Sequence, residues 1–475
     1  MLVVLGVVVV GVGLVATRSD RGQQALREWV EARVAGSMHG RLHIGRVSGN
    51  WLTGVTIDSL EIRDDEDSLF VASGPIHVEY DPRDLVDRRL HFRRLDLTRP
   101  VVVLRQHENW TWNFKRMFSY AGPRQGNGPE RGFGDFVVID STHVRDGSFR
   151  VTIPWHPDDS LHGARRDSAI RENLVRREHE IRRTREGFTQ NYRWSNGYAA
   201  VPYMRIADPD SDGKLFVIDT MHAAETMPPF TWRNVRGVVR LAGDSVWMTV
   251  PHFDLPGSTG HARGKVWWGS DLPVRYAVRV WGDSVSLRDV AWVYPTLPTT
   301  GGGTMVLDIE NERDLRQLDY ALSDLDVRTM KSRLRGSMTF ETGGKVLAVH
   351  DVRMRAEPVD WDLLRQLNGK PFPADWQGKI TGTVTARGGP LNHFMVDAAD
   401  VTFADAHVPG AISKLRGHGE LDILLPAFTA FHRFTAQADH MPRNPLIGPT
   451  SGLPSGEKVN GPLTTLRIPV VPIAG

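Results

Sequence analysis

The sequence predicts a mainly β protein of meandering antiparallel strands, entered through an N-terminal membrane helix and interrupted by a charged helical insertion. Three observations lead there. Residues 1–16 form an apolar run, apolar and polar residues alternate with period two from Arg41 onward, and a short unit centred on a glycine recurs through the second half. Period two places successive side chains on opposite faces of a strand, whereas a helix would need apolar residues every three or four positions.

Composition narrows the classes of function. Of the 475 residues, 40% are hydrophobic and 24% charged, enough to fill a core and too apolar for wholesale disorder. The 58 basic and 56 acidic residues leave a formal charge of +2, which gives no case for a nucleic-acid partner. Cysteine is absent. That excludes disulfides, thiolate zinc sites and cysteine nucleophiles, and it suits a Gram-negative periplasm, where a stray thiol risks mispairing.

The elements follow in order. Met1 to Ala16 reads MLVVLGVVVVGVGLVA, and Thr17-Arg18-Ser19-Asp20-Arg21-Gly22 marks an exit into water. A spanning helix needs about 20 apolar residues, so the run is short, and no basic segment precedes it. A start codon placed a little late, clipping the cytoplasmic flank, accounts for both. From Gln23 to Ala35, Leu26, Trp29, Val30 and Val34 share one helical face, with Arg27, Glu28, Glu31 and Arg33 on the rest. Leu42 and Ile44, Val55 and Ile57, Leu60 and Ile62, and Ile76, Val78 and Tyr80 then alternate as strands. Asp64-Asp65-Glu66-Asp67 reads as a solvated hairpin tip, and a helical turn is expected around Asp84 to Asp87. Arg145-Asp146-Gly147-Ser148 reads as a tight turn. Asp158 to Gly187 has helical propensity, a thin apolar stripe (Ile170, Leu174, Ile181) and eight arginines interleaved with acids, the pattern of a solvated helix. Five glycine-centred units, at Gly237, Gly264, Gly336, Gly382 and Gly417, punctuate later strands at irregular gaps, so no fixed-period solenoid is expected. Beyond His440 proline, glycine and serine dominate, and the tail reads as truncated or frame-shifted.

No pattern of catalytic chemistry emerges. The eighteen histidines include no HExxH, and neither a nucleophile elbow nor a P-loop is present. Gly301-Gly302-Gly303 reads as a turn, and His156-Pro157-Asp158-Asp159 as loop polarity. Asp208-Pro209-Asp210-Ser211-Asp212-Gly213-Lys214-Leu215 matches the opening of a calcium loop, with Asp208, Asp210, Asp212 and Asp219 as the weak candidate ligands. A calcium loop sits between helices, and the segments on either side here read as strand, which favours a polar hairpin turn. No catalytic residue, metal or cofactor is assigned, and no enzymatic activity is expected.

An ordered set of segments carries a family resemblance. After the anchor and short helix come Gly40-Arg41-Leu42-His43-Ile44-Gly45-Arg46-Val47-Ser48-Gly49-Asn50-Trp51-Leu52-Thr53-Gly54-Val55, Leu60-Glu61-Ile62-Arg63-Asp64, Leu95-Asp96-Leu97-Thr98-Arg99-Pro100-Val101-Val102 and Asn109-Trp110-Thr111-Trp112-Asn113-Phe114. Val285-Ser286-Leu287 to Gly303 and Val359 to Gly382 look like later repeats. In these respects residues 1–440 resemble the AsmA-like proteins, especially the TamB-like branch of bridge-like lipid transporters. The departures are the short anchor, the arginine-rich insertion and the tail.

The resemblance implies a long sheet curled into a β-taco-like groove, anchored by a single pass in a bacterial inner membrane with its body in the periplasm. Together with the residue patterns, it divides the chain into an expected transmembrane anchor at 1–17, an amphipathic helix at 18–40, an N-terminal β region at 41–154, a charged helical insertion at 155–200, a repetitive groove at 201–440 and an irregular tail at 441–475, the insertion and the tail being read from composition alone. Val274, Tyr276, Val278, Val280, Val352 and Met354 are the groove-lining candidates, chosen by their alternation with polar neighbours. The expected function is phospholipid transport between inner and outer membranes. The alternative is a translocation and assembly scaffold acting with an outer-membrane β-barrel partner. The alternation alone would also build a packed periplasmic β-sandwich.

Overall fold

Alternation becomes strand wherever the sequence shows it. The computed structural model describes residues 39–50, 53–87, 89–109, 111–117, 135–157, 161–175, 180–185, 187–227, 231–268, 274–291, 296–311, 317–342, 346–368, 377–406, 410, 412–422, 430–439 and 459–461. The expected anchor, the amphipathic helix and nearly all of the 441–475 tail lie outside these residues. Among the described residues no helix is long and apolar enough to cross a membrane. The chain divides into two units, Met1–Leu255 and Pro256–Gly475.

The first unit contains β1 (Gly40–Ile44), β2 (Val47–Asn50), β3 (Gly54–Ile57), β4 (Leu60–Asp64), β5 (Leu69–Ser73), β6 (Ile76–Tyr80), α1 (Pro82–Val86), β7 (Leu90–Thr98), β8 (Val101–Arg105), α2 (Asn113–Met117), β9 (Val137–Ile139), β10 (Thr142–Pro154), α3 (Gly163–Val175), β11 (Ile181–Arg183), β12 (Phe188–Val201), β13 (Tyr203–Ala207), β14 (Lys214–Ile218), β15 (Thr220–Met227), β16 (Arg233–Ala242) and β17 (Ser245–Asp254). Its first strands pair as antiparallel neighbours, β1 with β4, β4 with β5, β2 with β3, β3 with β6 and β6 with β7. Every inward residue of β4 and β6 is buried, and Ile57, Ile62, Val78, Leu90, Phe92 and Ile139 join one core that Met117 of α2 closes. Each such side chain contributes roughly 1.5–3 kcal/mol through burial. Asn113 fixes α2 to β8: its Oδ1 accepts from the Arg105 and Phe114 N–H groups at 3.1 and 3.0 Å, and its Nδ2 donates to the Val103 carbonyl at 3.1 Å. That gives the Asn109–Phe114 segment a concrete structural task.

Two sequence expectations need correction here. Arg145 to Ser148 is not a turn. The chain runs straight through it as part of β10, which lies parallel to β7 over Thr142–Arg145 and then parallel to β8 over Ser148–Thr152. Asp146, at a φ of 54°, supplies the irregularity that carries β10 from one partner to the next. The expected helical insertion at 155–200 is also shorter than foreseen. Helix α3 spans Gly163–Val175 with no buried residue, whereas Phe188–Val201 is the long strand β12, paired with β10 and β15. Tyr192, Trp194, Tyr198 and Ala200 of β12 already show period two, and the arginines preceding them masked the change.

The second unit is a plain meander. It contains β18 (Thr259–Trp267), β19 (Arg275–Ser286), α4 (Leu287–Val290), β20 (Gly302–Glu310), β21 (Leu318–Thr329), β22 (Ser332–Thr342), β23 (Ala348–Asp360), α5 (Trp361–Asn368), β24 (Gly378–Pro390), β25 (Phe394–Asp405), β26 (Ile412–Asp422), β27 (Ala430–Asp439) and β28 (Val459–Gly461). Each strand pairs antiparallel with the next in sequence, from β18 through β28, so the sheet is curled and unclosed. A register shift interrupts every pair from β18–β19 to β26–β27. Such bulges bend and twist strands, and a row of them curls the whole sheet.

Four of the five recurring glycines, Gly264, Gly336, Gly382 and Gly417, sit inside these strands, and Gly237 sits inside β16 of the first unit. Gly336 and Gly382 adopt φ values of 139° and 133°, and a Cβ on either would collide with the Arg353 or Asp400 carbonyl oxygen of the adjacent strand. Only glycine fits both the backbone conformation and the close approach.

Candidate functional site

The second unit's register assembles one continuous apolar face. Cross-strand partners share a face, and Val278 is followed across the sheet by Ile309, Tyr320, Phe340 and Val349. Val280 leads to Leu307, Leu322 and Met338 in the neighbouring row. A third row joins Leu325, Gly336, Met354, Val384 and Ala399. The alternation is clean in β24, where Lys379, Thr381, Thr383, Thr385 and Arg387 are exposed on one face and Ile380, Val384 and Ala386 lie on the other.

Most of this face stays half-buried. Its buried residues include two clusters, one of Val349, Val352, Ala386, Phe394 and Val396 and one of Leu287, Leu325 and Val327, with Val359 buried opposite Ile380. The second cluster lies where α4 meets the sheet, and α5 lies against β23 and β24. Both helices are set the same way. The Ser258 hydroxyl accepts the Ser286 N–H at 2.8 Å, and the Ser332 hydroxyl accepts the Asp360 N–H at 2.8 Å, each bond spanning 28 residues just before a helix begins. Asp289 reinforces the first clamp by accepting from the Gly257 N–H at 2.9 Å and the Ser258 hydroxyl at 2.5 Å. These are the two segments singled out in the sequence as repeats. The serines that hold them were not foreseen, because each stands 28 residues upstream of the group it binds.

Five of the six groove candidates meet on the apolar face. Tyr276, Val278 and Val280 lie along β19, and Val352 and Met354 along β23. Burial, with Tyr320 nearby, pushes the Tyr276 hydroxyl above its ordinary pKa. Val274 falls just outside β19 and is exposed, while its carbonyl accepts from Asn311 Nδ2 at 2.8 Å.

The candidate calcium residues form a hairpin turn between β13 and β14. The Asp208 carboxylate accepts the Asp210 N–H at 3.1 Å, its carbonyl accepts the Ser211 N–H at 3.2 Å, and Gly213 closes the turn at a φ of 73°. Asp219 instead donates its backbone N–H to Ala200. No group of three acidic or histidine side chains able to hold a metal ion occurs among the described residues.

The acidic run forms the tip of the antiparallel β4–β5 hairpin, with Asp65, Glu66 and Asp67 exposed as expected. It is also an ion-pair cluster. Arg116 reaches Asp65 at 2.6 Å and Glu66 at 2.8 Å, Arg105 also pairs with Glu66, and Arg41 pairs with Asp67. Its partners come from positions 41 to 116, a range no local pattern reveals. Comparison with protein-family models, curated proteins and solved structures finds no match.

Proposed function

We propose that this protein carries phospholipid acyl chains along the apolar face of its second unit, as a membrane-anchored, non-enzymatic conduit of a bacterial envelope between inner and outer membranes. The observation that supports this reading is the face itself: rows of valine, leucine, isoleucine and methionine crossing successive strands, mostly half-buried. An exposed apolar surface of that extent is costly in water unless something covers it. An acyl chain gains about 0.8 kcal/mol per methylene it buries. The polar face, with its lysines, threonines and arginines, keeps the curled sheet soluble.

A second reading is an assembly scaffold for outer-membrane β-barrel proteins. It draws on the unclosed sheet, whose edges offer backbone groups for strand addition. Val278→Asp separates the two. Direct transport predicts that a photoactivatable phospholipid no longer crosslinks to the variant while β-barrel assembly continues. Assembly lost with lipid crosslinking unchanged would favour the scaffold.

A further inference from the structure

Two tyrosines interrupt the aliphatic rows of the second unit, and burial of acyl chains alone gives their hydroxyls no task. Tyr276 shares its face of β19 with Val278 and stands opposite Val266 of β18. Tyr320 of β21 lies directly opposite Ile309 on one side and Phe340 on the other. Both side chains are half-buried. Neither hydroxyl makes a hydrogen bond among the described residues. A phenol set among apolar side chains ordinarily finds a partner for its O–H. Burial, with Tyr320 nearby, also disfavours ionisation of Tyr276, so its hydroxyl is a neutral donor.

The sheet sets where the pair stands. Strands β19 and β21 begin, and β20 and β22 end, along one rim, whereas α4 and α5 follow the opposite ends of β19 and β23. Buried Asn311 fixes the backbone around Tyr276. Its Oδ1 accepts the Tyr276 N–H at 2.9 Å, and its Nδ2 donates to the Val274 carbonyl at 2.8 Å. The Thr342 hydroxyl, at the same rim, is already committed to the Leu318 carbonyl at 3.3 Å. The rim carboxylates Glu310, Asp319 and Glu341 form one cross-strand row on the opposite face, so they do not compete for the tyrosines.

The spacing between this rim and the far one suits a lipid. Tyr320 to Leu325, which belongs to the buried cluster beside α4, is roughly 17 Å along the strand. Half the hydrocarbon thickness of a bilayer, the reach of one acyl chain, is about 15 Å. Building on lipid carriage by this face, we propose that Tyr276 and Tyr320 form a subsite that hydrogen-bonds the ester or phosphate oxygens of a lipid whose acyl chain lies along the strands toward α4. The lipid then has a fixed orientation, with its oxygens at the tyrosine rim and its methyl ends at the helix-lined rim. Site-fixing polar groups of this kind, few and placed at one end of an apolar surface, are what orient a ligand that is otherwise held by burial.

The test titrates the full chain, in a non-ionic detergent, with three probes: a pyrene-labelled phosphatidylethanolamine, the methyl ester of pyrenedecanoic acid, and decylpyrene, which carries no oxygen. The double variant Tyr276→Phe/Tyr320→Phe should bind the phospholipid about tenfold more weakly, as expected for two modest hydrogen bonds lost, and should bind decylpyrene as the wild type does. Each single variant should fall between, a useful check if the double variant folds poorly. A matching loss with the methyl ester places the ester carbonyl at the hydroxyls, and a loss confined to the phospholipid places the phosphate there. Tyr192→Phe, in the first unit, should change nothing. Wild-type phospholipid affinity in the double variant, or an equal loss for decylpyrene, overturns the subsite and leaves lipid carriage standing. Val278→Asp should weaken all three probes. If it weakens none, or if the wild type binds none, lipid carriage by this face fails and the subsite fails with it.

Discussion

The strands at the start of the chain and the later meander share one sequence pattern yet end with different interiors. In β4 and β6 every second residue is buried, and Phe92, Ile62 and Val78 are fully enclosed. In β19 and β26 the same alternation leaves its apolar residues half-exposed. The difference is topological. The early strands gain extra neighbours, β10 lying parallel to both β7 and β8 while α2 closes one side. Among the described residues of the second unit, each strand from β19 to β27 pairs with the strands before and after it in sequence, and most of the apolar face keeps part of its surface exposed. Alternation decides which side chains share a face, and connectivity decides whether that face is covered.

The comparison breaks most sharply in the early core. Phe92→Ala there should cost about 3–5 kcal/mol, whereas Val278→Ala on the half-open face of the meander should cost under about 1 kcal/mol. Urea unfolding of each full-length variant measures both. Equal losses would mean that the meander is as tightly packed as the core.

Curling is the next target. Gly382→Val should destabilise the second unit by about 1–3 kcal/mol from its φ alone, with the collision against Asp400 added. The corresponding reading is hydrogen exchange in β24 and β25, which should lose protection while the β4–β6 core keeps its own.

Electrostatic changes should be smaller. Glu66→Gln removes a shared acceptor for Arg105 and Arg116 at a partly exposed site, so a loss of about 0.5–1 kcal/mol is expected, shrinking as salt is added. Asp326 gives the smallest effect. Hydrogen bonding from Arg333 outweighs the opposing desolvation and, with the charges of Arg333, Arg335 and Arg328, holds its carboxyl below the ordinary value. A depressed folded pKa gives stability that is complete above the unfolded pKa of roughly 3.9 and is lost as pH falls through the folded one. The wild type should therefore exceed Asp326→Asn in urea midpoint at pH 6, and the gap should close at strongly acidic pH.

Much of the fold was legible because alternation survives in nearly every strand, including Ile76, Val78 and Tyr80 and the run from Tyr276 to Val280. The recurring glycines were visible, but their reason was not, since it lies in a neighbouring strand's carbonyl. Beta12 was hidden by the arginines before it, and β10 by an Arg-Asp-Gly-Ser sequence that reads as a turn until two parallel partners extend through it. The groove candidates followed from parity alone, which puts Tyr276, Val278, Val280, Val352 and Met354 within strands and Val274 one step outside β19. Long-range polar pairing, such as Ser332 with Asp360 or Arg116 with Glu66, leaves no local mark in the sequence.

Neighbouring residues on opposite faces give the most direct test of the lipid-bearing face. A photocrosslinking amino acid placed at position 278 points with the apolar rows, and one at position 279 points with Arg263 and Asp308 on the polar face. After irradiation in cells and mass spectrometry of the purified protein, phospholipid adducts should form at 278 and be absent at 279. Equal adducts at both positions, or none at 278, would contradict the account.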